Sequence, residues 1–259
     1  MDFVELGDYP KHMNLKKNDV VLISSDFRKV LWDMHLNHKK CDLNDFIDGL
    51  IEEIGDEGTI LIPTYNWDFC KGTTFDIEKS PSKTGTLGQL TLKRSDFSRT
   101  AHPIYSFSVF GKYKDYFCHL NNKDSFGEDS PFSVFKDLKC KNYIMDVSLK
   151  NCFTYVHYVE QVSKSVSYRY IKNFTAGYTD IKGETTTRTY SMFVRDLDKD
   201  VVNTIDPLEP DFISAGAENI FRINSSDFKV IYLDKAHDII LNDIKMNSSK
   251  KICTYKGQI

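Results

Sequence analysis

Apolar residues along this chain arrive in two rhythms. Short unbroken runs, VVLI within residues 18–23 and ILI within 58–63, have the pattern of strands buried on both faces. Between them, within residues 41–55, Leu43, Phe46, Ile47, Leu50, Ile51 and Ile54 recur three and four apart and lay one apolar stripe along a helix. Asp42 serves as its N-cap and Gly55 as its stop. Strand, helix and strand within about 45 residues predict a parallel pair with a helical crossover.

Beyond residue 63 the rhythm breaks. Residues 64–86 are polar, aromatic and turn-rich, holding Tyr65, Trp67, Phe69, Phe75, two glycines and Pro81, which reads as a lid or pocket wall. Residues 85–90 read as a helix entry, and 99–111 as a His-Pro turn running into a strand with Ser106 and Ser108 on one face. Residues 126–131 form a turn before a helix at 131–138, and 143–147 a further strand. Residues 154–164 lack Gly and Pro and predict a helix. A hairpin follows over 174–194 around 181–184. A Pro-rich loop at 206–210, a strand at 228–232 and a helix through Ala236, Ile239, Ile240 and Ile244 complete the chain. No repeat or linker divides it, so the pattern predicts one α/β domain over 1–259, a central mixed sheet flanked by helices.

Composition narrows the function. Thirty-four basic residues against thirty-seven acidic ones give a formal charge of -3, so neither nucleic acid nor an anionic membrane surface is the expected partner. The acidic start is unlike a secretory signal, and no apolar run approaches the roughly 20 residues of a bilayer span. The expectation is a soluble cytoplasmic protein. Six scattered cysteines with no CxxC pair predict free thiols rather than a disulfide framework or a metal site.

Two places carry candidate chemistry. The strand at 18–23 leaves into Ser24, Ser25 and Asp26, a small polar loop of the kind that holds phosphate or carbonyl groups at strand ends, although a plain turn has the same composition. In the helix at 154–164, His157 and Glu160 lie three apart and share a face. A carboxylate there orients the imidazole and favours its protonated form, as a general base for an amine or hydroxyl requires. A solvated ion pair is the plainer reading of the same spacing. Cys152, five residues before His157, raises a Cys–His nucleophile as an alternative, with a buried structural thiol against it.

Taken in order, NDVVLISSDF, GDEGTILIPTY, TGTLGQL, RTAHPIYSFSVFG, GEDSPF and the T-x-x-H-x-x-E of Thr154, His157 and Glu160 resemble the aminoglycoside 3-N-acetyltransferases over residues 15–165. The resemblance implies acetyl transfer from acetyl-CoA, without metal, to the amine of a small sugar-like acceptor, with a homodimer among the assemblies open to it. It implies His157 as the base and Glu160 as its partner. Ser24, Ser25, Phe27, Arg28, Lys29, Val30, His102, Pro103 and Ser106 would line the coenzyme site. Tyr65, Asp129 and Glu218 would meet the acceptor, within acceptor-site elements at 64–86 and 166–259.

The chain departs from the family pattern at Ile23, where resistance enzymes commonly carry His, and at Tyr105, the second His of their H-P-x-H-S. Residues 185–195 offer two arginines and no acid, unlike a pocket for a polycation. The expected acceptor is therefore an amino sugar, with a nucleotide-linked one in surface-polysaccharide synthesis among the forms open to it. An aminoglycoside is the first alternative, a non-catalytic acyl-CoA binder the second, and a Cys–His acyltransferase using Cys152 or Cys70 the third.

Overall fold

Every element of the fold is arranged about two parallel pairings of one strand. In the computed structural model, which describes residues 3–255, the chain enters through a short helix α1 (Tyr9–His12) and crosses the molecule as β1 (Val20–Ser25). Helices α2 (Arg28–Leu36) and α3 (Leu43–Ile54) return it to β2 (Thr59–Pro63), parallel to β1 with Leu22 opposite Leu61. A long connection holds the two-residue strand β3 (Phe75–Asp76) and helix α4 (Thr86–Thr91). Strands β4 (Ser98–Arg99) and β5 (Phe107–Gly111) then extend the sheet antiparallel, followed by α5 (Lys114–His119). Strand β6 (Lys141–Met145) takes the other flank of β1 in parallel and feeds α6 (Leu149–Cys152) and α7 (Tyr155–Ser163).

The last third wraps this frame. Strands β7 (Arg169–Thr179) and β8 (Thr185–Arg195) form a hairpin that adds β3 to make a second sheet. After β9 (Val201–Asn203) and α8 (Glu209–Ser214), β10 (Glu218–Ile223) and β11 (Ser226–Tyr232) complete the main sheet. Its order is β10-β11-β6-β1-β2-β5-β4. Helix α9 (Leu233–Met246) and β12 (Cys253–Tyr255), paired with β9, finish the described chain.

Side-chain alternation divides the main sheet into two apolar faces. Val21, Ile23, Ile60, Ile62, Tyr143 and Val230 point to one side, against Val30 and Met34 of α2 and Phe46, Ile47, Leu50 and Ile54 of α3. Leu22, Leu61, Val109, Ile144 and Ile231 point to the other, against Tyr155, Val156 and Val159 of α7 and Ala236 and Ile240 of α9. Each large apolar side chain so buried contributes roughly 1.5–3 kcal/mol. The result is a helix–sheet–helix sandwich, the α/β class with a mixed sheet that the apolar pattern predicts. Among the described residues no helix is long and apolar enough to cross a membrane, and all six cysteines are free.

Local differences from the pattern have local causes. Strand β1 continues through Ser24 and Ser25 because β6 extends the ladder, pairing Ser24 with Ile144 and Ser25 with Met145. Helix α2 carries exposed Leu31, Trp32 and Leu36 beside buried Val30 and Met34, so its apolar stripe is blurred in the sequence. The helix expected at 131–138 is a single 3-10 turn, Pro131–Val134. Phe132 and Phe135, three apart and both buried, suit that tighter coil. The hairpin begins and ends further out than 174–194, since its outer residues mix exposed Tyr170, Ile171, Lys172 and Asn173 with an Arg169 whose side chain is buried and show no alternation of apolar and polar side chains. Strand β10 was hidden by Glu218, Asn219 and Arg222, and the expected loop at 206–210 is a 3-10 turn leading into α8.

Candidate active site

The strand ends that should hold a ligand do open on a cleft. A cavity of about 480 Å³ lies at the C-terminal ends of β1 and β2, between the start of α2, the start of α4 and the segment around α6. Ser24, Ser25, Phe27, Arg28, Tyr65 and Trp67 form one wall, and Thr84, Gly85, Thr86, Asn151, Cys152 and Thr154 the other. This is the position where open α/β sheets bind ligands, beyond the carboxyl ends of parallel strands. Gly85 has φ +96°, a left-handed conformation that glycine takes without strain and that turns the backbone into α4. The first-turn N–H groups of α4 have no partner within that helix and stand at the cleft.

The aromatic loop at 64–86 is held against the sheet by Arg99. Its guanidinium donates to Ser106 Oγ at 3.0 Å and to the Thr64 carbonyl at 2.9 Å, and it lies 4.7 Å from the centre of the Phe75 ring. Burial lowers the Arg99 pKa to about 10, still well above neutrality, so the clamp stays charged.

Helix α7 begins at the cleft and carries the pair singled out by spacing. Thr154 lines the cavity, and its carbonyl accepts from the His157 backbone N–H at 3.0 Å, one turn on. His157 itself stands behind that wall with 18% of its side chain exposed. Its Nδ1 lies 2.7 Å from Glu160 Oε2. The carboxylate is also held by Tyr168, whose hydroxyl donates to Oε1 at 2.8 Å, and by Arg169, whose Nε lies 2.8 Å from Oε2. Spacing along the chain gave no sign of Tyr168 or Arg169; they reach Glu160 only because β7 starts beside α7.

These partners set the protonation states. Burial alone would raise the Glu160 pKa, but the hydrogen bond from His157 and the charge of Arg169 outweigh it, and the carboxyl is held below its usual range. For His157, Glu160 does favour imidazolium, as the spacing predicts, but larger effects oppose it. Burial and the Arg169 charge push its pKa below 6.5 and exceed the opposing pull of Glu160, with Arg195 adding to the downward shift. The ring is neutral at pH 7. An Nδ1–H directed at Glu160 leaves Nε2 as the nitrogen with the lone pair.

A chain of rings joins this pair to the cleft wall. His157 is 5.6 Å from Phe126, Phe126 is 4.8 Å from Tyr105, and Tyr105 is 4.8 Å from Tyr65. Tyr105 is thus a packing residue, and it accepts a hydrogen bond from Trp67 Nε1 at 3.4 Å.

Other expected site residues lie elsewhere. Lys29 pairs with Asp146 at 3.5 Å and Asp227 at 3.6 Å, and Val30 is in the core, so neither lines the cleft. His102, Pro103 and Ser106 are buried and outside the cleft lining. His102 Nδ1 accepts from the backbone N–H groups of Ile104 and Tyr105 at 3.2 and 3.1 Å, which makes it the pin of its own turn. Ser24 Oγ donates to Asn142 Oδ1 at 3.2 Å within the core, leaving Ser25 as the more open hydroxyl. Asp129 is exposed on its turn and outside the cleft lining. Glu218 is 2% exposed on β10, on the same face as Ile231, and burial raises its pKa to about 7. Neither acid is brought to the cleft. Cys152 does line it, but burial raises its thiol to about 12, which leaves too little thiolate for a nucleophile at neutral pH.

Comparison with known proteins gives a consistent picture. The family model described as aminoglycoside 3-N-acetyltransferase matches residues 22–242. Among solved structures, the YokD protein from Bacillus subtilis is 19% identical, with a TM-score of 0.73 over 92% of this chain and 96% of that one. AAC-IIIb in a binary complex with CoASH is 15% identical, with a TM-score of 0.77 over 95% and 98%. Sisomicin-bound AAC-VIa is 16% identical, with a TM-score of 0.77 over 93% and 97%. At these identities the structural likeness establishes the fold. A search of curated proteins returns no match.

Proposed function

The chain belongs to the aminoglycoside 3-N-acetyltransferase family, and on that premise we propose that it transfers an acetyl group from acetyl-CoA to the amine of an amino sugar, with His157 as general base. The observation that carries this reading is the geometry of His157, its Nδ1 held 2.7 Å from a Glu160 that Tyr168 and Arg169 also hold, one helical turn from the cleft. A pantetheine arm suits the cleft: it is mixed in polarity and lined by Ser25, Arg28, Thr84 and the start of α4.

Bound there, acetyl-CoA supplies an activated thioester. His157 accepts the amine proton through Nε2 as the amine nitrogen bonds to the acetyl carbon. Glu160 steadies the imidazolium that results, and Thr154 with the α4 backbone N–H groups supplies hydrogen bonds for the oxygen that gains charge. His157 then returns its proton to the departing sulfur as the carbon–sulfur bond breaks. The products are an amide and a free thiol, and no group on the protein is acylated.

Charge favours a singly charged amine over a polycationic drug. Apart from Glu160, the charges that act most on His157 are Arg169 and Arg195, both cationic. A multiply charged aminoglycoside would meet repulsion there, whereas one amine can approach as its neutral form. The reading is tested by incubating the protein with acetyl-CoA and a panel of mono-amino sugars, nucleotide-linked amino sugars and aminoglycosides. Expected outcomes are a rise in melting temperature with acetyl-CoA, one acetyl group on a mono-amino acceptor, and no adduct on the protein. No interaction with acetyl-CoA at millimolar concentration would overturn the proposal. A clear preference for aminoglycosides would overturn its choice of acceptor.

A further inference from the structure

Cross-strand partners in an antiparallel ladder project from the same face of the sheet. Arg169 and Arg195 are such partners in the β7–β8 hairpin. The side chain of Arg169 is nearly buried and spent: its Nε lies against Glu160, Nη1 donates to the Phe193 carbonyl at 3.2 Å and Nη2 to Asn203 Oδ1 at 3.0 Å. Arg195 stands across the ladder from it, half-buried, and among the described residues its guanidinium has no hydrogen bond, ion pair or ring contact.

Both arginines act on His157 as nearby positive charges, and the one carboxylate of the group, Glu160, is paired with Arg169. With His157 neutral, the group of Glu160, Arg169 and Arg195 beside it carries one net positive charge. Partial burial makes that charge costly unless an anion arrives. The rest of this hairpin face supplies no such anion. Running outward from Arg195 it presents Phe193 and Ile171, then Asn173 and Ser191, then Thr175 and Thr189, joined hydroxyl to hydroxyl at 2.8 Å. That surface is neutral, apolar beside Arg195 and hydroxyl-bearing beyond it, the mixture that meets the face and edge of a sugar ring. A planar guanidinium with all its donors free is built for a carboxylate or phosphate oxygen pair.

We propose that the acceptor is an amino sugar that also carries an oxyanion, and that Arg195 binds this oxyanion while the amine faces His157. Arg195 is thus a specificity residue. The proposal rests on the acetyl-transfer reading for its kinetic arm and is independent of it for its binding arm.

The kinetic arm compares glucosamine with glucosamine 6-phosphate, glucosamine 1-phosphate and a 2-amino uronic acid, each with saturating acetyl-CoA, by thiol release. An anionic acceptor should exceed glucosamine in kcat/KM by about 10- to 100-fold, the size expected of a charge-assisted hydrogen bond. The phosphate and carboxylate members show which oxyanion is preferred. Arg195→Gln should raise KM for the anionic acceptor with little change in kcat and collapse the preference. Arg195→Lys should restore part of it, and both variants should melt near the parent. Equal rates on neutral and anionic sugars, or an equal loss on both in Arg195→Gln, would overturn the proposal and leave Arg195 as a charge acting on His157.

The binding arm uses calorimetry with CoA present and no turnover. Anionic amino sugars should bind the parent and lose about tenfold or more in affinity in Arg195→Gln. Unchanged affinity would overturn the proposal even if no acetyl transfer is seen. A loss of CoA binding in Arg195→Gln, with dephospho-CoA unaffected, would assign the residue to the coenzyme phosphate and also overturn it.

Discussion

The two nitrogens of His157 have unequal fates. Nδ1 is tied to Glu160 at 2.7 Å, so proton exchange with a substrate is left to Nε2. Because burial and Arg169 lower the pKa below 6.5, the proposed base holds its lone pair at neutral pH. The acidic limb of kcat/KM should accordingly fall below pH 6.5, and a limb at or above that value would contradict the neutral ring. Glu160 holds Arg169 as well as His157, and this changes what its removal should do. Glu160→Gln keeps hydrogen bonds to the ring and to Tyr168 but leaves Arg169 buried without an anion, a loss on the order of 3–5 kcal/mol in stability. Calorimetric melting should show that loss alongside a lower rate; an unchanged melting temperature would mean Arg169 is compensated elsewhere. At this scale the sequence was informative only along the chain. The three-residue spacing brought out His157 and Glu160, whereas Tyr168 and Arg169 have no local signal because a β-strand carries them back to the helix.

Among the elements, the turn before β5 shows how a motif can be real and yet misread. His102 belongs to a His-Pro segment that resembles the family, and its ring closes the turn by accepting two backbone N–H groups. Burial, with Lys123 nearby, lowers its pKa to about 3. The folded state thus binds fewer protons than the unfolded state between about pH 3 and 6.5, so stability is full above 6.5 and declines as pH falls through that window. The span corresponds to on the order of 4–5 kcal/mol at its acid end. His102→Gln should lower stability at pH 7 and flatten the dependence of melting temperature on pH between 6.5 and 4. An equally steep dependence in the variant would place the titration elsewhere. Strands and helices with clean periods, β1, β2 and α3, were legible because one property, burial, decides them. Helix α2, strand β10 and the 3-10 turn at Pro131–Val134 were not, since exposed apolar residues, buried polar ones and a three-residue repeat each blur the period.

For the whole molecule, the mixed sheet follows from the apolar runs, but the cleft does not. It forms where β1, β2, α4, α6 and the loop at 64–86 converge, segments up to about 130 residues apart that only the fold assembles. The central claim is that this cleft presents an activated acetyl group to an acceptor served by His157. It is tested by measuring turnover, acetyl-CoA affinity and melting temperature on the same preparations of parent and His157→Ala protein. Positioned acid–base groups contribute about 10²- to 10⁴-fold in rate, so turnover should fall by that order while coenzyme affinity and melting temperature stay close to the parent. Near-parental turnover in folded His157→Ala protein would contradict the account and move the base elsewhere.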